Sequence, residues 1–114
     1  MSLNQSELVR LIVEDLSDEL DEDNVGFWVL PWLIRQHVPN GDPRTVRGIA
    51  RLVLDVLLDD ETFLGDLDER SGQFSAWREG EPAMTAMTRW EDLGRDPTIG
   101  EIAWLARPSA APSG

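Results

Sequence analysis

Hydrophobic residues recur at spacings of three and four between positions 43 and 58, which is the period of one face of an α-helix. Asp42 can cap this helix with its carboxylate, and Pro43 falls at the first helical position, where a missing N–H costs nothing. The pattern therefore predicts a largely buried helix over Pro43–Leu58, around which the rest of the fold is organised. Its apolar face comprises Val46, Ile49, Ala50, Val53, Val56 and Leu57, widened by Leu52, Leu54 and Leu58.

The opposite side of this helix carries charge of both signs. Arg44, Arg47 and Arg51 make its first half basic, and Asp55 and Asp59 make its second half acidic. Acidic groups near the C-terminal end of a helix oppose the helix dipole, so they do not serve stability. Two interpretations stay open: an acidic protein placing its acids in solvent, or a surface that contacts a partner.

A ladder of leucine and isoleucine at i, i+4 spacing predicts a first helix over Gln5–Leu20, with Asn4 and Glu7 as its capping box. The ladder comprises Leu8, Ile12, Leu16 and Leu20. The outer face of this helix ends in a dense run of acids, whose mutual repulsion weakens its C-terminal end. That face is either solvated and frayed or a docking surface for a basic partner. The run comprises Glu14, Asp15, Asp18, Glu19, Asp21, Glu22 and Asp23.

The next segment is strongly apolar and places Trp28 and Trp32 one helical turn apart. We expect a second helix over about 25–38, kinked at Pro31 because proline removes one hydrogen bond and crowds the preceding turn. Alternatively the helix begins at Pro31 and residues 27–30 are extended. The Pro-Asn-Gly sequence at 39–41 ends the helix.

Two short segments with aromatic residues, 62–67 and 73–78, predict a β-hairpin joined by a loop at 68–72. Gly72 stands where this loop needs a positive φ. Pro82 can open a fourth helix, and Gly94 suits the position just after its end.

The C-terminal part of the domain, which we place at residues 1–107, leaves two alternatives over 99–105. Thr98 and Glu101 have the spacing of a capping box for a short helix. The β-branched and aromatic content favours instead a strand that joins the hairpin, and we expect the strand. Residues 108–114 contain Pro, Ser, Ala and Gly, and are predicted to form a disordered tail.

Three helices followed by a two-stranded hairpin resemble the winged-helix family. The helices at 25–38 and Pro43–Leu58 and the hairpin up to Trp77 carry this resemblance, which rests on element order and on no sequence motif. In that family the helix before the hairpin usually enters the DNA major groove. The resemblance therefore implies a DNA-contacting role for Arg44, Arg47 and Arg51. The segment 93–104 also looks like small uncharacterised bacterial proteins, which implies no activity.

The charge of the chain argues against nucleic acid as the partner. There are 22 acidic and 10 basic residues, giving a net charge of −12, which repels phosphate backbones and anionic membrane surfaces. The hairpin loop is itself acidic, with Asp66, Asp68 and Glu69 against Arg70, where a DNA-binding wing usually presents basic residues. We expect a basic protein as partner, and a homodimer is compatible because basic stripes can pair with acidic patches.

Groups able to carry out chemistry are few. The absence of cysteine excludes disulfides, thiolate nucleophiles and zinc–thiolate sites. His37, the only histidine, lies near a helix C-terminus, where it interacts favourably with the dipole. The acidic segments that begin at Asp21 and Asp66 resemble calcium loops, but Trp32 and Trp77 occupy the twelfth position, where glutamate is needed. We predict no catalytic residue, no metal and no cofactor, and hence no enzyme.

These observations combine into one prediction. The fold is α+β and mainly helical, with a three-helix winged-helix-like core, a short hairpin wing and a C-terminal helix. With no signal peptide and no apolar run near the roughly 20 residues that span a bilayer, the protein is expected to be cytoplasmic. The function is a non-catalytic acidic protein-interaction module, and the alternative is a DNA-binding regulator that uses the three arginines. Predicted partner-binding residues are the acids Asp15, Asp18, Glu19, Glu22, Asp68 and Glu69 and the aromatics Trp77 and Trp104.

Overall fold

The computed structural model describes residues 4–68, 70–78 and 80–107. Within these residues the chain forms helices that pack on one another and on an antiparallel sheet, so the prediction of a mainly helical α+β fold is confirmed. The predicted tail at 108–114 and the loop residue Glu69 lie outside the described residues. The elements are α1 (Gln5–Leu20), β1 (Val25–Gly26), α2 (Val29–His37), α3 (Pro43–Leu58), β2 (Phe63–Asp68), β3 (Gln73–Ala76), α4 (Pro82–Leu93) and β4 (Trp104–Ala106).

The helix α1 has the predicted bounds and the predicted buried ladder. At its start the Asn4 side-chain oxygen accepts from the backbone N–H of Glu7 at 2.9 Å, as an N-cap residue does. The Glu7 carboxylate reaches back to the Asn4 side-chain nitrogen at 2.7 Å. The capping box therefore forms with the side chain of Asn4 in place of its backbone N–H.

Both predictions for the start of the second helix are wrong. Val25 and Gly26 form a strand that pairs with Leu105 and Trp104, and α2 begins only after it, at Val29. Pro31 is thus the third residue of the helix, in the turn whose N–H groups have no intrahelical acceptor, so it removes no helix hydrogen bond. The local pattern missed β1 because its pairing partner lies at the far end of the described chain.

The helix α3 begins and ends where predicted. The Asp42 carboxylate caps it by accepting from the Thr45 N–H at 2.7 Å, and this bond lowers the pKa of Asp42. Six apolar residues are buried: Val46, Ile49, Ala50, Val53, Leu54 and Leu57. The prediction that Val56 belongs to the buried face is wrong, because Val56 is 46% exposed beside Leu52, which is 42% exposed. The buried stripe is narrower than the run of apolar residues in the sequence.

The hairpin is confirmed and is part of a larger sheet. Strands β2 and β3 pair antiparallel, and Gly72 in their loop has the expected positive φ of 74°. The strand expected near the C-terminal end also forms, as β4, and it inserts between β1 and β2 to give the order β1-β4-β2-β3. The Thr98–Glu101 contact forms too, with the Glu101 carboxylate accepting from the Thr98 N–H at 2.7 Å. It closes a turn ahead of β4, and no helix follows it.

The last described residue, Arg107, fastens the end of β4 to the helical layer. Its guanidinium donates to the Asp21 carboxylate at 3.2 Å, to the Ser17 hydroxyl at 3.2 Å and to the Thr62 hydroxyl at 3.3 Å. Thr62 is a buried polar residue, so this contact satisfies a group that would otherwise be costly. One side chain thereby links α1, the segment before β2 and the end of β4.

The core centres on α3, which packs against α1, α2 and α4, and the ring of Phe27 extends it towards the sheet. The fully buried Phe27 ring meets Trp90 edge-to-face at 5.7 Å between centroids, and Trp90 is only 2% exposed. Trp28 is half-buried and packs edge-on against Trp104 at 4.8 Å. The helix α4 ends, as predicted, at Gly94, which has a φ of 70°.

Candidate interaction surfaces

The outer face of α1 brings together four of the predicted partner-binding acids. Asp15, Asp18 and Glu19 lie on the exposed side of the helix, and Glu22 follows directly after it, also exposed. None of these four makes an ion pair within the described residues, whereas Asp21 between them pairs with Arg107. These charges stand at the negative end of the helix dipole, where they repel one another and the dipole. We call this set, Asp15, Asp18, Glu19 and Glu22, the α1 acidic face.

The structure does not join Asp68 to the α1 acidic face. Thr62, just before β2, is the point where Arg107 connects this region to α1. Asp68 is the last residue of β2, so the extended strand places it about 20 Å away from Thr62. Its carboxylate accepts from the backbone N–H of Arg70 at 2.9 Å, and this bond, with one from Ser71, lowers the pKa of Asp68. Asp68 therefore shapes the hairpin loop. The role predicted for Glu69 lies outside the described residues.

The three arginines of α3 differ in their surroundings. Arg51 donates to the Asp55 carboxylate at 3.1 Å, so its charge is already paired along the helix. Arg44 and Arg47 make no ion pair within the part of the chain that the structure describes. Arg44 is exposed, whereas Arg47 lines a pocket together with Arg35 and Arg95. The arginines therefore do not act as one uniform positive stripe, and DNA binding through them stays a prediction.

Both predicted interface tryptophans already contact other side chains of the fold. The Trp77 indole N–H donates to the Asp66 carboxylate at 3.1 Å, and the Arg89 guanidinium lies 4.7 Å from its ring centroid, a cation–π arrangement. Trp104 is half-buried against Trp28. Each leaves some ring surface exposed, and their role at an interface stays a prediction.

Sequence reasoning missed the most exposed tryptophan, Trp32, which is 59% exposed. It lies with Trp28 and Val29 along one side of an open apolar groove of about 470 Å³, and Pro97 and Ile99 lie along the other. Ile99 is 80% exposed. The sequence placed the two tryptophans one turn apart on a single predicted helix, but α2 starts after Trp28. The signal available for Ile99 was an isoleucine between Thr98 and Gly100, in a turn where a polar residue is usual.

A carboxylate–arginine contact between Glu101 and Arg95 closes the loop that carries Ile99. Glu101 accepts two hydrogen bonds from the Arg95 guanidinium, both at 2.8 Å, and one from the Thr98 N–H at 2.7 Å. The bonds from Arg95, followed by that from Thr98, lower the pKa of Glu101 to about 2. Ionised Glu101 therefore stabilises the fold above its ordinary pKa of 4.5, and this contribution is lost as the pH falls towards about 2.

We expect the variant Glu101→Gln to lose this acid-dependent part of the stability. Between pH values of about 4.5 and 2, its free energy of unfolding should fall less steeply than that of the wild type, because no carboxylate is left to protonate at this position. Urea unfolding measured across that window checks the prediction. Glu91→Gln, at an exposed carboxylate with no ion pair among the described residues, is the control and should follow the wild-type slope. Identical slopes for all three proteins would contradict the assigned role.

The described residues contain no group of three or more His, Cys, Asp and Glu arranged to hold a metal ion. His37 is exposed at the end of α2. Within the same residues no helix is both long enough and apolar enough to cross a bilayer.

Comparison with known proteins adds no relative from which a role can be transferred. No protein-family model, no curated protein sequence and no solved structure matches this chain. The winged-helix resemblance therefore stays a prediction, and the function has to be inferred from the surfaces of the chain itself.

Proposed function

We propose that this protein is a non-catalytic interaction module that binds a basic protein through the α1 acidic face. The observation that carries the proposal is that Asp15, Asp18, Glu19 and Glu22 are exposed and without an ion pair in the described residues. Nearby Glu14 and Asp21 are each paired with an arginine. Four uncompensated negative charges therefore lie together on one side of the helix end.

The electrostatics of the whole chain support the same choice of partner. A net charge of −12 attracts a basic surface over a distance and speeds the encounter, while it repels a second copy and nucleic acid. Charges at an exposed rim add little affinity individually, so several must act together. Apolar contacts at a protein interface usually supply the rest, and the groove beside Trp32 offers exposed aromatic surface of the kind that interfaces use.

The test starts from a partner captured by the immobilised protein at low salt, then purified and titrated against variants. Replacing Asp15, Asp18, Glu19 and Glu22 by Asn or Gln should weaken binding about tenfold or more, since four rim pairs of up to about 1 kcal/mol each are lost. The matched control neutralises four exposed acids elsewhere: Asp59, Glu81, Glu91 and Asp92.

The control has the same net charge as the α1 variant, so it separates a local surface from a general attraction. We expect it to keep most of the affinity. Equal weakening by both variants would overturn the assignment to α1, and a captured partner that is itself acidic would overturn the proposal. An electrophoretic mobility shift of duplex DNA that disappears when Arg44 and Arg47 are replaced would favour the DNA-binding alternative.

A further inference from the structure

Three arginines surround one pocket on this acidic protein. A cavity of about 300 Å³ lies where the end of α2, the start of α3 and the segment after α4 meet. Arg35 comes from α2, Arg47 from α3 and Arg95 from the segment after α4. The lining also includes Trp90, Pro43 and one acidic residue, Asp96. Three separate elements thus each contribute one arginine to the lining of the same cavity.

Two of the three arginines are hydrogen-bonded to carboxylates of their own. Arg35 donates to both oxygens of Asp96, at 2.6 and 3.4 Å, and to the Gly41 carbonyl at 3.2 Å. The Asp96 contact raises the pKa of Arg35. Arg95 is held by both oxygens of Glu101 and by the Asp96 carbonyl at 3.0 Å. These contacts orient both guanidiniums and leave N–H groups on each, since an arginine has five.

Arg47 is the exception, because it has no carboxylate of its own within the described residues. It is half-buried and lies in the second turn of α3, whose N-terminal end is capped by the Asp42 carboxylate. With Arg35 matched by Asp96 and Arg95 by Glu101, the pocket is left with one unmatched positive charge. On a chain of net charge −12, such a concentration of arginine is not explained by overall composition.

We propose that this pocket binds a small oxyanion, the carboxylate or phosphate group of a small molecule, with Arg47 as its principal ligand. Planar guanidinium groups match the oxygen spacing of both kinds of anion. Pre-oriented Arg35 and Arg95 reduce the ordering cost of binding. The cavity is larger than the anion alone requires, and the exposed Pro43 offers apolar surface to the remainder of the ligand.

Amide chemical shifts of the full chain during titration with inorganic phosphate, and separately with acetate, test the site. Ionic strength is held constant with chloride. We expect saturable shifts at Arg47, Gly94 and Arg95, in the millimolar range of affinity, and none at Asp18 on α1. Tighter binding of phosphate assigns the ligand to the phosphate class, and tighter binding of acetate assigns it to the carboxylate class. The absence of a saturable response to either probe would overturn the proposal.

Variants at two neighbouring arginines sharpen the result. Arg47→Ala should weaken binding of the better probe about tenfold to a hundredfold, the loss typical of a hydrogen bond to a charged group. Arg44→Ala, exposed one turn earlier and outside the pocket lining, should change it little. Arg47→Lys keeps the positive charge but loses the two parallel N–H groups of the guanidinium, so its affinity should lie between those of the two alanine variants. It also serves as a second variant if Arg47→Ala does not fold. Equal losses at Arg44 and Arg47 would contradict the site.

Discussion

Replacing Phe27 by alanine is expected to lower the free energy of unfolding by about 3–5 kcal/mol, the range for deleting a buried aromatic ring. The Phe27 side chain is fully buried and packs edge-to-face with Trp90, with 5.7 Å between the ring centroids. Its backbone N–H donates to the Ala103 carbonyl at 3.0 Å, which holds the residue in place while the ring is removed. The cavity would open at the junction of β1, α4 and the segment before β4.

Urea unfolding followed by tryptophan fluorescence measures this loss. The control is Phe63→Ala, which removes the same ring from a side chain that is 43% exposed. This variant should lower the free energy of unfolding by about 1 kcal/mol or less. A Phe27 variant no less stable than the Phe63 variant would contradict the burial of the Phe27 ring in the core.

Replacing Gly65 by alanine is expected to cost about 3 kcal/mol or more, because the added methyl group has no room. A Cβ at this position would lie 2.1 Å from the Ser75 carbonyl oxygen and 2.8 Å from the Ala76 Cα. Both are backbone atoms of the paired strand β3, so no side-chain rotation relieves the overlap. Gly65 also pairs with Trp104 on its other side, which resists a shift of β2 in that direction.

The same substitution at Gly48 should raise the free energy of unfolding and not lower it. Gly48 lies within α3, and a Cβ there would meet nothing within 4 Å. Alanine should therefore stabilise the helix by about 0.5–1 kcal/mol through its better helix propensity. Urea unfolding of the two variants measures both effects. Equal stabilities for them would show that β2 accommodates the methyl group and that the close approach of the strands is not required.

The sequence predicted those elements whose signals are local. The caps at Asn4 and Asp42, the proline-started helices and the glycine at the end of α4 depend on residues within one or two turns, and all are confirmed. The strand β1 was missed because Val25 and Gly26 adopt their conformation through pairing with a segment far along the chain. Periodicity also overestimated the buried width of α3, since it counts apolar residues and not the neighbours that cover them.

The candidate surfaces also differ in whether their residues are close together in the sequence. The α1 acidic face could be predicted because one helix carries all four residues. The pocket around Arg47 could not, because Arg35, Arg47 and Arg95 belong to separate elements whose packing brings them together. The exposure of Trp32 depended on where α2 begins, a boundary that the apolar segment left undefined.

The position of β4 inside the sheet has a consequence for how the protein is made. During synthesis α1, β1, α3 and the hairpin all leave the ribosome before the strand that must lie between β1 and β2 exists. Until then β1 and β2 each present an unpaired edge, and the hairpin edge carries the apolar residues Phe63 and Leu64. Unpaired apolar edges associate with other chains. The nascent protein should therefore be most vulnerable to aggregation, and most dependent on chaperones, in the interval before residue 106 emerges.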